Sequence, residues 1–278
     1  MVNNLHHFGG CLMQINLTKT RINTNFKPAV HGGNVFEAVR DAHLSPNKIL
    51  DFSANINPLG PSPKVLEAIK NNLWRVKLYP DPDMIVLRKA VAEHVGGNIN
   101  PENVILGNGA TELIHLFTDV FITKGCNAVI PIPTFEEYEV AVVKYGGKPV
   151  FVRLEQDFSI KPQKILERTN KNTRVIFLCN PNNPTGVFTS KEDLLEILEK
   201  TLNRDIWVFL DEHCIEFTSE DGSVVGEINR YPNLFVLRSF TKVFGLAGLR
   251  IGYGIVNEEA AKLLCRVKIP WNISHKRH

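Results

Sequence analysis

"RSFTKVFGLAGLRIGYG", residues 238–254, places Lys242 just after two hydroxyl residues, Ser239 and Thr241. A glycine-rich, mostly apolar run follows, broken by one further cation, Arg250. A lysine normally keeps its ammonium in water, so one set in an apolar stretch needs either a partner or a chemical use. Desolvation lowers the pKa of such a lysine and makes it a nucleophile that condenses with carbonyl compounds. The question raised by Lys242 is what the rest of the chain assembles around it.

Upstream and downstream of this stretch, helical and strand patterns alternate from about residue 61. "PSPKVLEAIKNNLW" carries Val65, Leu66, Ile69 and Leu73 on one helical face, with Pro63 near its start. "MIVLRKAVAEHV", "ATELIHLFTDVF", "FEEYEVAVVKYG", "KPQKILERT", "KEDLLEILEKTL" and "EEAAKLLCRV" read as further helices. Between them lie the short strands "NVIL", "NAVIPI", "KPVFVRL", "TRVIFLCN", "IWVFLDE", "NLFVLRSF" and "RIGYGIV". Several of these are continuous apolar runs, the pattern of strands covered on both faces by helices. The expected fold is an α/β three-layer sandwich around a mostly parallel sheet.

In open sheets of this kind, ligands bind beyond the carboxyl ends of the strands. The polar motifs fall there. "GNGATE" (residues 107–112) follows "NVIL" and opens a helix, and backbone N–H groups at a helix start can bind phosphate. Taken alone, that motif is equally an ordinary tight turn. "NPNNPTG" (residues 180–186) follows "VIFLC", a stiff loop that aims asparagine amides. Asp211 closes "IWVFLD", where a carboxylate is costly unless paired or used in chemistry. Lys242 follows "LFVLRSF".

A phosphate cradle, a buried aspartate and a desolvated lysine are the parts that hold pyridoxal 5'-phosphate (PLP). The lysine binds its aldehyde, and the aspartate keeps its pyridine nitrogen protonated so that the ring accepts electrons. Arg250 supplies a second charge for the phosphate.

At these residues the chain resembles the PLP-dependent aspartate-aminotransferase superfamily, fold type I, class I/II branch, over residues 31–270. The resemblance implies that Lys242 carries the cofactor and Asp211 meets the pyridine nitrogen. It implies that Asn183 bonds the ring hydroxyl, and that Phe135 of "PTFEEY" stacks on the ring. Gly109, Ala110, Thr111, Ser239 and Arg250 would hold the phosphate. Tyr79 of "LYPDPD" matches a tyrosine that reaches the partner subunit's phosphate, which implies a homodimer.

Within that superfamily, "HGGNVFEAVRDAHLSPNKILDFSANINPLGPSP" (residues 31–63) resembles the opening of threonine-phosphate decarboxylases of cobalamin biosynthesis. That resemblance implies a carbon–carbon lyase acting on a small phosphorylated amino acid, O-phospho-L-threonine. His31, Gly32, Asn55 and Asn183 would touch the substrate. Cys214 of "DEHC" stands where the family often has tyrosine, a departure that leans the same way. The alternatives are an aminotransferase of the histidinol-phosphate type, or a non-catalytic remnant that binds PLP. The chain stops at "PWNISHKRH", short of the small C-terminal domain and substrate-carboxylate arginine of such enzymes, which leaves Arg266 or Arg277 as substitutes.

Residues 1–30 are expected to be a disordered extension, 31–60 an arm over the substrate site, 61–270 the PLP-binding large domain and 271–278 a truncated tail. The net charge of +3 with interspersed signs offers no nucleic-acid footprint. No apolar run reaches the ~18 residues of a membrane helix. The five scattered cysteines suggest neither a disulfide framework nor a zinc site. A cytoplasmic enzyme without metal is the expectation.

Overall fold

A computed structural model describes residues 28–218 and 222–274. The expected extension through residue 27, Cys11 within it, the tail from residue 275 and Arg277 lie outside these residues.

Seven strands form one sheet: β1 (Val104–Gly107), β2 (Asn127–Ile132), β3 (Lys148–Arg153), β4 (Thr173–Cys179), β5 (Trp207–Asp211), β6 (Leu234–Ser239) and β7 (Gly252–Val256). Their spatial order is β1-β7-β6-β5-β4-β2-β3. The pairs among β2 to β6 are parallel, whereas β7 runs antiparallel to both of its neighbours. The reversal has a positional consequence. Six carboxyl ends share one edge of the sheet, and the amino end of β7 is delivered to that same edge.

Side chains alternate across each strand with a period of two. Val208 and Leu210 of β5, and Leu234 and Val236 of β6, join one core. That core is completed by helices α3 (Ile85–Val95), α6 (Pro162–Glu167) and α7 (Lys191–Thr201) through residues such as Val91, Ile165 and Ile197. Phe177, Phe209, Phe235 and Leu237 point to the other face. There they meet α4 (Ala110–Phe121), α5 (Glu137–Lys144) and α8 (Glu258–Val267). Phe209 and Phe235 stack at 5.0 Å, and Phe117 packs edge-on against Phe209 at 4.9 Å. The result is the expected three-layer sandwich.

Two features differ from the periodicity reading. A short helix, α1 (Val35–Ala42), forms within the arm, where Asn34 accepts from the Glu37 N–H at 3.3 Å. Helix α2 (Pro63–Asn71) forms as expected, but none of its residues is buried. Leu66 and Leu73 remain half exposed because the two cores lie elsewhere and no described element of this chain covers that face.

Candidate active site

The period-two rule sorts the residues at the strand ends. Asp211 continues the face of Phe209 and is 1% exposed on the α5 side. Glu212, next in the chain, turns to the opposite face and pairs with buried Arg238 of β6 at 2.9 Å. Ser223 also donates to Glu212, at 2.8 Å. Of the adjacent carboxylates, one is neutralised structurally and the other is turned toward a cavity.

That cavity, about 120 Å³, opens at the carboxyl edge of the sheet. Asp211, Asn183, Lys242 and Phe135 line it, and Ala110, Thr111, Ser239 and Arg250 close its other end. The second group gathers by close backbone approach. A Cβ on Gly252, at the start of β7, would lie 2.7 Å from the Ala110 nitrogen at the start of α4. Gly109 has φ +84, and a Cβ there would strike the Arg250 guanidinium at 2.4 Å. Both glycines let a helix start and a cation share one small space, and such a start favours anions. Ser239 is buried, donates from Oγ to Thr241 Oγ1 at 2.7 Å, and accepts from the Thr241 N–H at 3.1 Å.

Loop 180–186 is held by its other asparagines. Asn180 and Thr189 exchange two bonds, at 2.8 and 3.0 Å. Asn182 donates to Pro133 O at 3.0 Å and accepts from Thr134 at 2.8 Å. With these two committed to the loop, Asn183 faces the cavity.

Lys242 is half buried, and burial above all lowers its pKa from the ordinary lysine value. Arg250 adds to that effect, while Cys214, Asp211 and Asp51 oppose it. The loop carrying Lys242 is clamped by the arm: the Asn57 N–H donates to Lys242 O at 3.0 Å, and Asn57 Nδ2 donates to Val243 O at 2.9 Å.

A second cavity, about 340 Å³, adjoins the first and shares Phe135, Asn183 and Lys242 with it. His31, Gly32 and Asn55 line its arm side. His31 bonds Glu137 at 2.6 Å, and Glu137 also bonds His115 at 3.2 Å. These contacts lower the Glu137 pKa, the His115 bond most, against the opposing effect of burial. Asn55 donates to Cys214 Sγ at 3.4 Å. Tyr79 lines neither cavity. It is 79% exposed, with its ring 5.1 Å from that of Trp271.

Three residues of the site are not marked by motif spacing. Tyr138 donates to Asp211 Oδ2 at 2.7 Å, and His213 reaches Asp211 Oδ1 at 2.9 Å. Glu137 anchors His31. Tyr138 lies three residues after Phe135, one helical step away, and His213 lies two after Asp211, the period of extended chain. Both signals are present in "FEEY" and "DEHC".

The donor set fits PLP. The α4 start, Ser239 and Arg250 would hold its phosphate, Asp211 would meet the ring nitrogen, Asn183 the ring oxygen and Lys242 Nζ the aldehyde.

A family model for aminotransferase class I and II matches residues 47–276, and the chain belongs to this family. PLP is the cofactor of the site. A histidinol-phosphate aminotransferase of Methanosarcina barkeri is 42% identical over 87% of this chain and 65% of its own length. A histidinol-phosphate aminotransferase of Sinorhizobium meliloti, solved in complex with PLP, superposes with a TM-score of 0.75 at 26% identity. That match covers 80% of this chain and 60% of that one. An L-threonine-O-3-phosphate decarboxylase of Porphyromonas gingivalis gives a TM-score of 0.70, also at 26% identity, over 81% and 68%. The chain thus spans about two thirds of the length of the curated relatives it matches.

These findings correct the decarboxylase expectation. The two solved structures resemble this chain equally in sequence, whereas the curated relatives at 35–42% identity carry the aminotransferase name. The lyase and cobalamin readings fall with it. They rested on the arm and on Cys214, and the contacts that brace the arm and hold it to the lysine loop do not depend on which bond breaks. Gly33 N–H bonds Ser53 Oγ at 2.7 Å, and Asn57 grips the lysine loop.

Proposed function

We propose that the chain acts in PLP-dependent transfer of an amino group from histidinol phosphate, or a closely similar phosphorylated amine, to a 2-oxo acid. The identity of 42% with an aminotransferase of that name, across 87% of this chain, is the observation that carries the reading.

Bound PLP supplies the aldehyde that takes up the amino group and the ring that draws electrons from the substrate carbon. The chain supplies the rest. The α4 N–H groups, Ser239 and Arg250 bind the cofactor phosphate. Asp211 holds a proton at the pyridine nitrogen. Asn183 orients the ring oxygen. Burial lowers the pKa of Lys242 below the ordinary lysine value, which favours the unprotonated Nζ that takes the proton from Cα and returns it elsewhere. His31, Gly32 and Asn55 form the wall met by the substrate's distal part.

A second copy of the chain completes the assembly in this reading. Leu59, Trp74, Val76 and Tyr79 are exposed apolar side chains that such a copy would cover. Among the described residues, no helix is long and apolar enough to cross a membrane. The reading places the protein in the cytosol, a reducing compartment suited to the free thiols of Cys126, Cys179, Cys214 and Cys265.

The test supplies the PLP-loaded chain with histidinol phosphate and 2-oxoglutarate. Glutamate formation without carbon dioxide is expected. No glutamate with full PLP occupancy, or carbon dioxide release when O-phospho-L-threonine is supplied in place of histidinol phosphate, overturns the reading.

A further inference from the structure

His213 is buried, lines the cofactor cavity, and has no part in the roles above. Its backbone N–H and its ring both bond Asp211 Oδ1, at 3.0 and 2.9 Å. Tyr138 occupies the other oxygen of the carboxylate. The His213 ring also stands across from Phe135, with centroids 6.4 Å apart and planes tilted by 42°. A flat ring held between two ring faces needs about 7 Å, two contacts of about 3.5 Å each. A modest turn of either ring supplies the difference.

Resting on the PLP reading of the site, we propose that His213 is a positioning residue for the cofactor ring: its imidazole forms the wall facing Phe135, and its Nδ1–H fixes the carboxylate of Asp211.

The surroundings support both halves. Burial opposes charge on the His213 ring, but the Asp211 carboxylate outweighs it, with help from Cys179 and Cys214, and raises its pKa well above the ordinary histidine value. The ring therefore keeps the Nδ1 proton that it donates. Glu216, Lys242 and Arg250 are other charged groups near it, the first through its field and the other two as co-lining residues. Tyr138 is pushed well above the ordinary tyrosine value, by burial first and by Asp211 next, so it too remains a donor. A carboxylate with two oxygens gripped by fixed donors cannot rotate away from the ring nitrogen. Cys179, Asp211 and His213 also stand close enough to share a metal ion, with ligating atoms within 4.8 Å. The direct 2.9 Å bond between Asp211 and His213 takes up the pairing that an ion would replace.

Two variants separate the two halves. His213→Phe keeps a ring wall and removes the donor. His213→Asn keeps a donor and removes the wall. PLP affinity is read by fluorescence titration, and protonation of the pyridine nitrogen by the nitrogen-15 shift of labelled PLP across pH. His213→Asn is expected to weaken PLP binding about tenfold with a wild-type nitrogen-15 profile. His213→Phe is expected to bind within about threefold of wild type but to lose the nitrogen proton at lower pH. Wild-type affinity and profile in both variants overturns the proposal. A measurement without substitution guards against misfolding: in wild-type protein with nitrogen-15 histidine, PLP should shift the His213 ring signals, and unmoved signals overturn the proposal. Wild-type chain that retains no PLP under these conditions overturns the cofactor reading, and the role of His213 with it.

Discussion

At the scale of single residues, Lys242 and Asp211 illustrate how a position in the chain becomes chemistry. Each ends or follows an apolar strand, so each meets little water at an edge where ligands collect. Borohydride reduction of the PLP-treated chain, followed by peptide mass spectrometry, is expected to place the label on Lys242, and Lys242→Ala should remove it. A label on another lysine would contradict the assignment. The lysine also imprints a pH dependence on stability. Its folded pKa is lowered, so the unfolded chain binds its proton more tightly. Stability should therefore rise with pH from the lowered value up to about 10.4, the unfolded one. Lys242→Met should flatten that rise in urea midpoints measured across pH. These residues were legible because their motifs place them at strand ends. Tyr138 and His213 were not, although both lie one structural period from a named residue. Their role is a contact through space with Asp211, and contiguous spacing does not display which atoms meet.

At the scale of elements, most of the secondary structure could be read directly, since buried strands announce themselves as apolar runs and capped helices as periodic ones. The antiparallel sense of β7 could not. Nothing in "RIGYGIV" encodes direction, yet that reversal carries Arg250 to the site. The crowding where β7 meets α4 gives a sharp test. Gly252→Ala places a methyl 2.7 Å from the Ala110 nitrogen and 2.8 Å from the Gly109 carbonyl carbon. Forcing the two elements apart should cost about 1–3 kcal/mol. Because the displaced backbone would hold the phosphate on the proposed reading, PLP affinity should fall by about tenfold or more in a fluorescence titration. A variant that melts earlier yet binds PLP normally would separate the packing from the cradle. What packs on the apolar face of α2 could not be read from its stripe. A helical stripe records that something packs there, and not whether this chain provides it.

At the scale of the whole molecule, the two cores are sealed while the arm and α2 are not. Phe52, Leu59, Trp74, Val76 and Tyr79 are all more than half exposed, a set of large apolar side chains that a second copy could cover. Light scattering is expected to find a dimer, and the pair Trp74→Glu and Val76→Lys should shift it toward monomer without loss of helix content by circular dichroism. A wild-type chain that stays monomeric at high micromolar concentration would remove the need for a second copy. The meeting of the two cavities at only Phe135, Asn183 and Lys242 has a further consequence. On the proposed reading, the residues that would distinguish one substrate from another are largely separate from those that would hold the cofactor, so the two sets can drift independently. A lineage can exchange arms and retain its chemistry, or retain an arm while its chemistry diverges. A mutational library confined to residues 30–32 and 53–55 should thus yield variants with altered tastes and an undiminished grip on PLP.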